Sequence, residues 1–154
     1  MNDFLENAEL NSLSDMDVRM MNPLKLAFLG DAIYEAYIRT YLISQFVMTP
    51  HEMSKKAKQF VNANAQATAV HRLRESFSED EWQMIKRGRN QKSSTVPKNA
   101  LLSDYRYATG YEALIGYLYL TDRKERLYEI VHLTIKAIDS KENSIKDLGE
   151  HNET

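Results

Sequence analysis

The feature that most constrains this chain is the stretch from Leu24 to Ile43, which is apolar nearly all round a helix yet carries an acid, Asp31, near its middle. Leu24, Leu26, Phe28, Leu29, Ile33, Tyr34, Tyr37, Ile38, Tyr41 and Leu42 leave no broad polar face, so the pattern predicts a long helix placed centrally in the fold. Pro23, after Asn22, suits its first turn, where a missing N–H does no harm. Lys25, Asp31, Glu35 and Arg39 interrupt the stretch, well short of the roughly 18 uncharged residues that a membrane span needs. An ionised Asp31 in such surroundings is costly unless it is paired, hydrogen-bonded or bound to a metal. Glu35 follows one turn later on the same face, and the small residues Ala27 and Gly30 would let a second helix or a ligand approach closely.

The rest of the chain also reads as helical. Thr49-Pro50-His51-Glu52 has capping-box spacing with Pro at the first helical position, predicting a helix from Pro50 to about Glu75. Ser78 and Glu81 repeat the pattern and open a shorter helix carrying Trp82, Met84 and Ile85, which should fail near Gly88. Residues 89–102, with Pro97, read as a polar loop long enough to suggest a functional segment. A helix from about Ser103 to Leu120 repeats the arrangement of the first: Tyr107, Tyr111, Leu114, Ile115 and Leu118 surround a lone acid, Glu112, with Ala108, Thr109 and Gly116 nearby. Asp122 and Glu125 open a last helix to about Ile138, and residues 141–154 read as a polar, frayed tail. No alternating strand, linker or repeat is visible. The 154 residues, 43% hydrophobic, therefore predict one all-α domain over 1–154 with its core at about 20–138.

Composition removes several classes of function. There is no Cys, hence no disulfide framework and no thiolate zinc site. The acidic N-terminus lacks a secretory pattern, which makes the cytoplasm the expected location. His51, His71, His132 and His151 have no metal-ligand spacing, and the tyrosines and Trp82 recur as core residues. Charge is unevenly spread: Lys55 to Lys98 holds ten basic residues against four acids in a chain of net charge −2. Lys86, Arg87, Arg89, Lys92 and Lys98, with Asn90 among them, fall in an acid-free segment. That pattern fits a polyanion bound along one surface, and equally a set of solvated helix faces. Asp31 and Glu112 could converge at a close helix crossing, as hard oxygen ligands suited to Mg²⁺ or Mn²⁺. Each could instead pair with an Arg or cap a neighbouring backbone.

Leu26 to Asp31 reads LAFLGD and continues AIYEAYIR, which resembles the signature helix of the ribonuclease III family, where a Phe-Leu-Gly-Asp stretch presents an acid. Glu112, in YEALIGYLYL, is similar to that family's second acidic segment, about 80 residues on. Full-length members have further acids where this chain has Ala27 and Thr109, and a C-terminal double-stranded-RNA-binding domain for which it has no room. In both respects it resembles the compact Mini-III group, as does RGRNQKSSTVPKN from Arg87 to Asn99 followed by Tyr105-Arg106-Tyr107.

The resemblance implies a ribonuclease III-type helical endonuclease domain that forms a homodimer, with two sites at the ends of an RNA-binding valley. It implies metal-dependent hydrolysis of double-stranded RNA, with Asp31 and Glu112 holding Mg²⁺ (or Mn²⁺). Lys86, Arg87, Arg89, Asn90, Lys92 and Lys98 are then expected to contact RNA. The expected substrate is the paired stem formed by the ends of precursor 23S ribosomal RNA, with a large-subunit ribosomal protein as a candidate partner. Glu35 is either an extra ligand or a hydrogen-bond partner of a neighbouring helix. Because two acids are replaced, a catalytically inactive RNA-binding protein of the same fold is the alternative, and a helical dimerisation adaptor is a third reading.

Overall fold

The computed structural model describes residues 2–92 and 101–150, with side chains described for 3–92 and 101–139. Among these residues lie eight α-helices: α1 (Asn2–Asn7), α2 (Asp15–Met20), α3 (Pro23–Gln45), α4 (Pro50–Val61), α5 (Ala63–Arg72), α6 (Glu79–Arg89), α7 (Leu102–Leu120) and α8 (Lys124–Glu150). A 3₁₀ turn at Arg74–Ser76 precedes α6, and no strand occurs among the described residues.

Local side-chain chemistry sets most helix starts. Thr49 with Glu52 and Ser78 with Glu81 close capping boxes at α4 and α6, as the sequence predicts. Ser14 with Asp17 closes a third, at α2, a helix not anticipated from apolar periodicity because it is only two turns long. The helix expected from Pro50 to Glu75 is in fact two. Asn62 interrupts it: its amide Nδ2 donates to the Lys58 carbonyl at 2.8 Å while its Oδ1 accepts from the Ala65 N–H at 2.8 Å. One side chain thereby ends α4 and caps α5, and α5 turns to lie against α7. The last helix begins at Lys124, after Asp122 in the left-handed region at φ 54°. It continues past the expected end at Ile138, since neither Pro nor Gly interrupts it before Gly149.

The centre of the fold is α7, not α3. α7 packs against α2, α3, α5, α6 and α8, and its Tyr111, Ala113, Leu114 and Ile115 are wholly buried. α3 buries Leu26, Tyr34, Ile38 and Leu42 but leaves Leu24, Phe28 and Ile43 exposed, Phe28 by 85%. Apolar residues run all round α3, and only part of them serve this chain's own core. Ties at the periphery are polar. Glu81, buried at the start of α6, accepts from Arg126 Nε and Nη2 of α8, both at 2.8 Å. Burial pushes the Glu81 carboxyl up, but Arg126 and the Ser78 cap outweigh it and hold the group below its ordinary range.

Two glycines let α3 and α7 touch backbone to backbone. A Cβ on Gly30 would strike the Glu112 carbonyl and lie 2.9 Å from the Gly116 N, and one on Gly116 would strike the Leu26 carbonyl. Gly88 of α6 has the same role, since a Cβ there would come within 2.7 Å of the Gly110 Cα. At an exposed helical site Gly→Ala stabilises by about 1 kcal/mol. Here the sign should reverse, because backbone cannot move aside as a flexible side chain would. Gly30→Ala should cost about 3 kcal/mol or more, read as a lower melting temperature; a variant as stable as the parent would show that the helices do not cross this closely.

Candidate active site at the α3–α7 crossing

The glycine crossing brings together two acids that lie 81 positions apart in sequence. Asp31 follows Gly30 on α3, and Glu112, whose carbonyl Gly30 faces, lies on α7. The floor beneath Glu112 is aromatic. Tyr34 and Tyr111 are fully buried and meet edge to face with ring centroids 5.2 Å apart. Their hydroxyls are engaged elsewhere: Tyr34 donates to the Phe60 carbonyl at 2.9 Å, and Tyr111 bonds Thr134 Oγ1 at 2.8 Å.

This floor explains the electrostatics. Burial, then the Asp31 charge, push the Glu112 carboxyl up to about 8, while the Gln66 amide pulls the other way. Asp31 reaches solvent; burial raises it, and the Glu35 charge adds to that. The coupling is one-sided because Asp31 ionises first, beside a still-protonated Glu112. Glu112 must then lose its proton against an existing negative charge. Among the described residues no Lys or Arg pairs with either acid, and neither caps a backbone. The two readings that would make them purely structural therefore find no partner here. Glu35 is engaged within its own helix, accepting from Arg39 at 2.8 Å in an exposed ion pair; the neighbouring-helix hydrogen bond expected for it is not formed.

Two acids with no cationic partner among the described residues make a fitting donor set for a hard divalent cation, whose other ligands would be water and phosphate oxygens. The described residues contain no cluster of three or more His, Cys, Asp or Glu that could hold a metal ion. The positions expected to carry further acids are apolar or self-satisfied. Ala27 is buried, and Thr109 donates from Oγ1 to the Tyr105 carbonyl of its own helix at 3.0 Å.

Beside Glu112 lies a residue that nothing in the sequence singles out. Gln66 of α5 is 1% exposed, and among the described residues neither its Nε2 nor its Oε1 completes a hydrogen bond, although the amide lies close enough to favour a charged Glu112. A buried amide in that condition costs about 1–3 kcal/mol per unmade bond.

The expected basic residues separate into two roles. Arg87 donates to the Arg19 carbonyl at 2.7 Å and the Met21 carbonyl at 3.2 Å, clamping the turn between α2 and α3. Arg89 lies over the Tyr107 ring and donates to its hydroxyl at 3.3 Å, while its Nε donates to Asn90 Oδ1 at 3.1 Å. Asn90 and Lys92 are exposed, Lys86 is half-buried, and Lys98 lies outside the described residues. Arg89, Asn90 and Lys92 line a groove of about 570 Å³ with Arg106 of α7. Lys92 and Arg106 also line an adjoining one of about 270 Å³ that reaches Thr109, one turn before Glu112. Arg106 enters the sequence reading only through the Tyr105-Arg106-Tyr107 resemblance and not as an expected RNA contact, since it stands outside the basic run, two residues after Asp104. A separate, largely apolar groove of about 300 Å³ between α3 and α4 includes Glu35 and Arg39 but neither Asp31 nor Glu112.

Comparison with known proteins assigns the family. The Ribonuclease III domain family matches residues 24–123. A protein named Mini-ribonuclease 3 from Thermoanaerobacter sp. (strain X514) is 46% identical over 136 residues, covering 88% of this chain and 94% of that protein. Another of that name from Clostridium tetani is 47% identical, covering 88% of each. The crystal structure of a Fusobacterium nucleatum protein superposes with a TM-score of 0.70 at 36% identity, covering 78% of this chain and 96% of that one. With a single all-helical domain, the matched span and these relatives, the chain belongs to the ribonuclease III family, in its Mini-ribonuclease 3 group, and is an endoribonuclease of that type.

Proposed function

We propose that this endoribonuclease cleaves double-stranded RNA, as a homodimer, with Asp31 and Glu112 holding Mg²⁺ or Mn²⁺, and that its substrate is the paired stem formed by the ends of precursor 23S ribosomal RNA. The observation that carries the proposal is the pair of acids at the α3–α7 crossing, which has no cationic partner among the described residues. A divalent ion bound there supplies charge stabilisation at the scissile phosphate and lowers the barrier to attack by water. Asp31 and Glu112 contribute the negative oxygens that retain the ion, and the aromatic floor limits water on one side. Arg89, Asn90, Lys92 and Arg106 bind the phosphate backbone beside the acids, and Lys86 and Lys98 extend the same basic segment. Arg87 contributes by fixing the α2–α3 turn. No helix among the described residues is long and apolar enough to cross a membrane, and we place the enzyme in the cytoplasm. A large-subunit ribosomal protein remains the candidate for presenting the stem.

Asp31→Asn and Glu112→Gln keep shape and remove the ligating charge. Each should lower Mg²⁺-dependent cleavage of a long RNA duplex by orders of magnitude while duplex binding in Ca²⁺ persists. In a chelator the sign of the stability effect is also set. Glu112 titrates near 8 when folded and at about 4.3 when unfolded, so between those values the unfolded chain binds fewer protons and stability falls as pH rises. Glu112→Gln should flatten that fall and melt above the parent at pH 8. Normal cleavage by a folded Asp31→Asn protein would remove these acids from the mechanism.

The groove can be tested by salt. Neutralising Arg89, Lys92 and Arg106 together should weaken duplex binding and reduce the dependence of log K on log salt by about 1 for each phosphate that is no longer neutralised. An unchanged slope would place the RNA elsewhere on the surface.

The homodimer is supported by Leu24 and Phe28, exposed on the same side of α3 as Asp31. Phe28→Asp should convert a sedimenting dimer to a monomer without loss of helicity. A parent protein that already sediments as a monomer at micromolar concentration would defeat this part of the proposal.

A further inference from the structure

We propose that Gln66 is a positioning residue for Glu112, its side-chain amide donating from Nε2 to the Glu112 carboxylate once that group is ionised and so orienting it to hold a cation. This rests on the reading of Asp31 and Glu112 as metal ligands. The buried face of α5 is otherwise built from small or apolar residues, Ala65, Ala67, Ala69 and Val70, packed towards α7. One long amide in that setting, 1% exposed and with both polar atoms unbonded, has no packing role that an apolar side chain would not fill better. The Glu112 carboxyl lies within reach of this amide.

An ionised carboxylate only accepts hydrogen bonds, and the Gln amide carries two N–H donors. An Arg or Lys in the same place would also orient the carboxylate, but it would neutralise the charge that has to hold the cation. A neutral amide orients without competing. Such outer partners of ligating groups typically change metal affinity or activity by about 10–100-fold when removed.

Gln66→Leu separates this role from a structural one, with Mn²⁺ affinity measured calorimetrically on the RNA-free protein alongside its melting temperature and duplex cleavage. A positioning role predicts a melting temperature equal to or above the parent's, because an unsatisfied buried group has gone, together with Mn²⁺ binding about 10–100-fold weaker. Cleavage should fall with it, return at raised Mn²⁺, and leave duplex binding in Ca²⁺ unchanged. Gln66→Met repeats the comparison with a more adaptable side chain. Unaltered Mn²⁺ affinity in both variants overturns the proposal, and so does failure of both to fold, which would make the amide part of the core. Asp31→Asn measured in parallel distinguishes the two levels: if it too binds Mn²⁺ and cuts normally, the metal-site reading has failed, whereas if it loses both while the Gln66 variants keep both, only the role of Gln66 has.

Discussion

Everything at the candidate site depends on α3 and α7 meeting without side chains between them. Gly30 and Gly116 each place bare backbone against the other helix's carbonyl or amide, and each gives up about 1 kcal/mol of helix propensity relative to Ala. That cost is offset by the fit of the surrounding core, where Leu26, Tyr34, Leu114 and Ile115 close with almost no exposure. The same approach draws Asp31 and Glu112 into mutual repulsion. A crossing separated by ordinary side chains would keep the core and lose the coupling between the acids.

The two acids at the crossing are set apart electrostatically from the other acids of the fold. Elsewhere the chain satisfies its buried and paired acids: Glu81 has both a cap and Arg126, and Glu35 has Arg39. At the crossing the pattern is reversed, with a carboxyl pushed up by burial, a second acid beside it and an unbonded amide against it. Such a cluster lowers the stability of the free protein. On the proposed reading, a bound divalent cation would offset the repulsion between the two acids and the cost of ionising the buried one.

Much of this was legible in the sequence, and the parts that were not share a physical cause. Thr49 and Ser78 announce their helices because capping is a local interaction, and Asp31 and Glu112 stand out because an acid in an apolar helix is conspicuous in one dimension. Asn62 did not stand out: with neither Pro nor Gly nearby, its break in the long helix depends on one amide serving two helix ends. Periodicity made α3 the expected centre because it reflects how apolar a face is, without distinguishing a face buried in the chain's own core from one left exposed, as Phe28 is. Charge counting grouped Arg87 with Arg89, although the carbonyls of Arg19 and Met21 engage the former. Gln66 carries no charge and breaks no pattern, so its condition emerges only when α5 is laid against α7.

On the proposed reading, α7 carries both a phosphate-binding and a metal-holding group. Arg106, Thr109 and Glu112 follow one another at three-residue intervals, so the basic groove and the acid pair are about 9 Å apart along one helix. α7 is also the most enclosed element of the fold, held by α3, α5, α6 and α8. A phosphate bound by Arg106 would therefore sit in a fixed relation to the carboxylates, with no hinge or loop to absorb an error in register. On the proposed reading, rigidity of this kind would convert backbone contacts into alignment of one phosphodiester beside the two acids. On the same reading, groove groups that meet phosphates would favour duplex geometry over base identity.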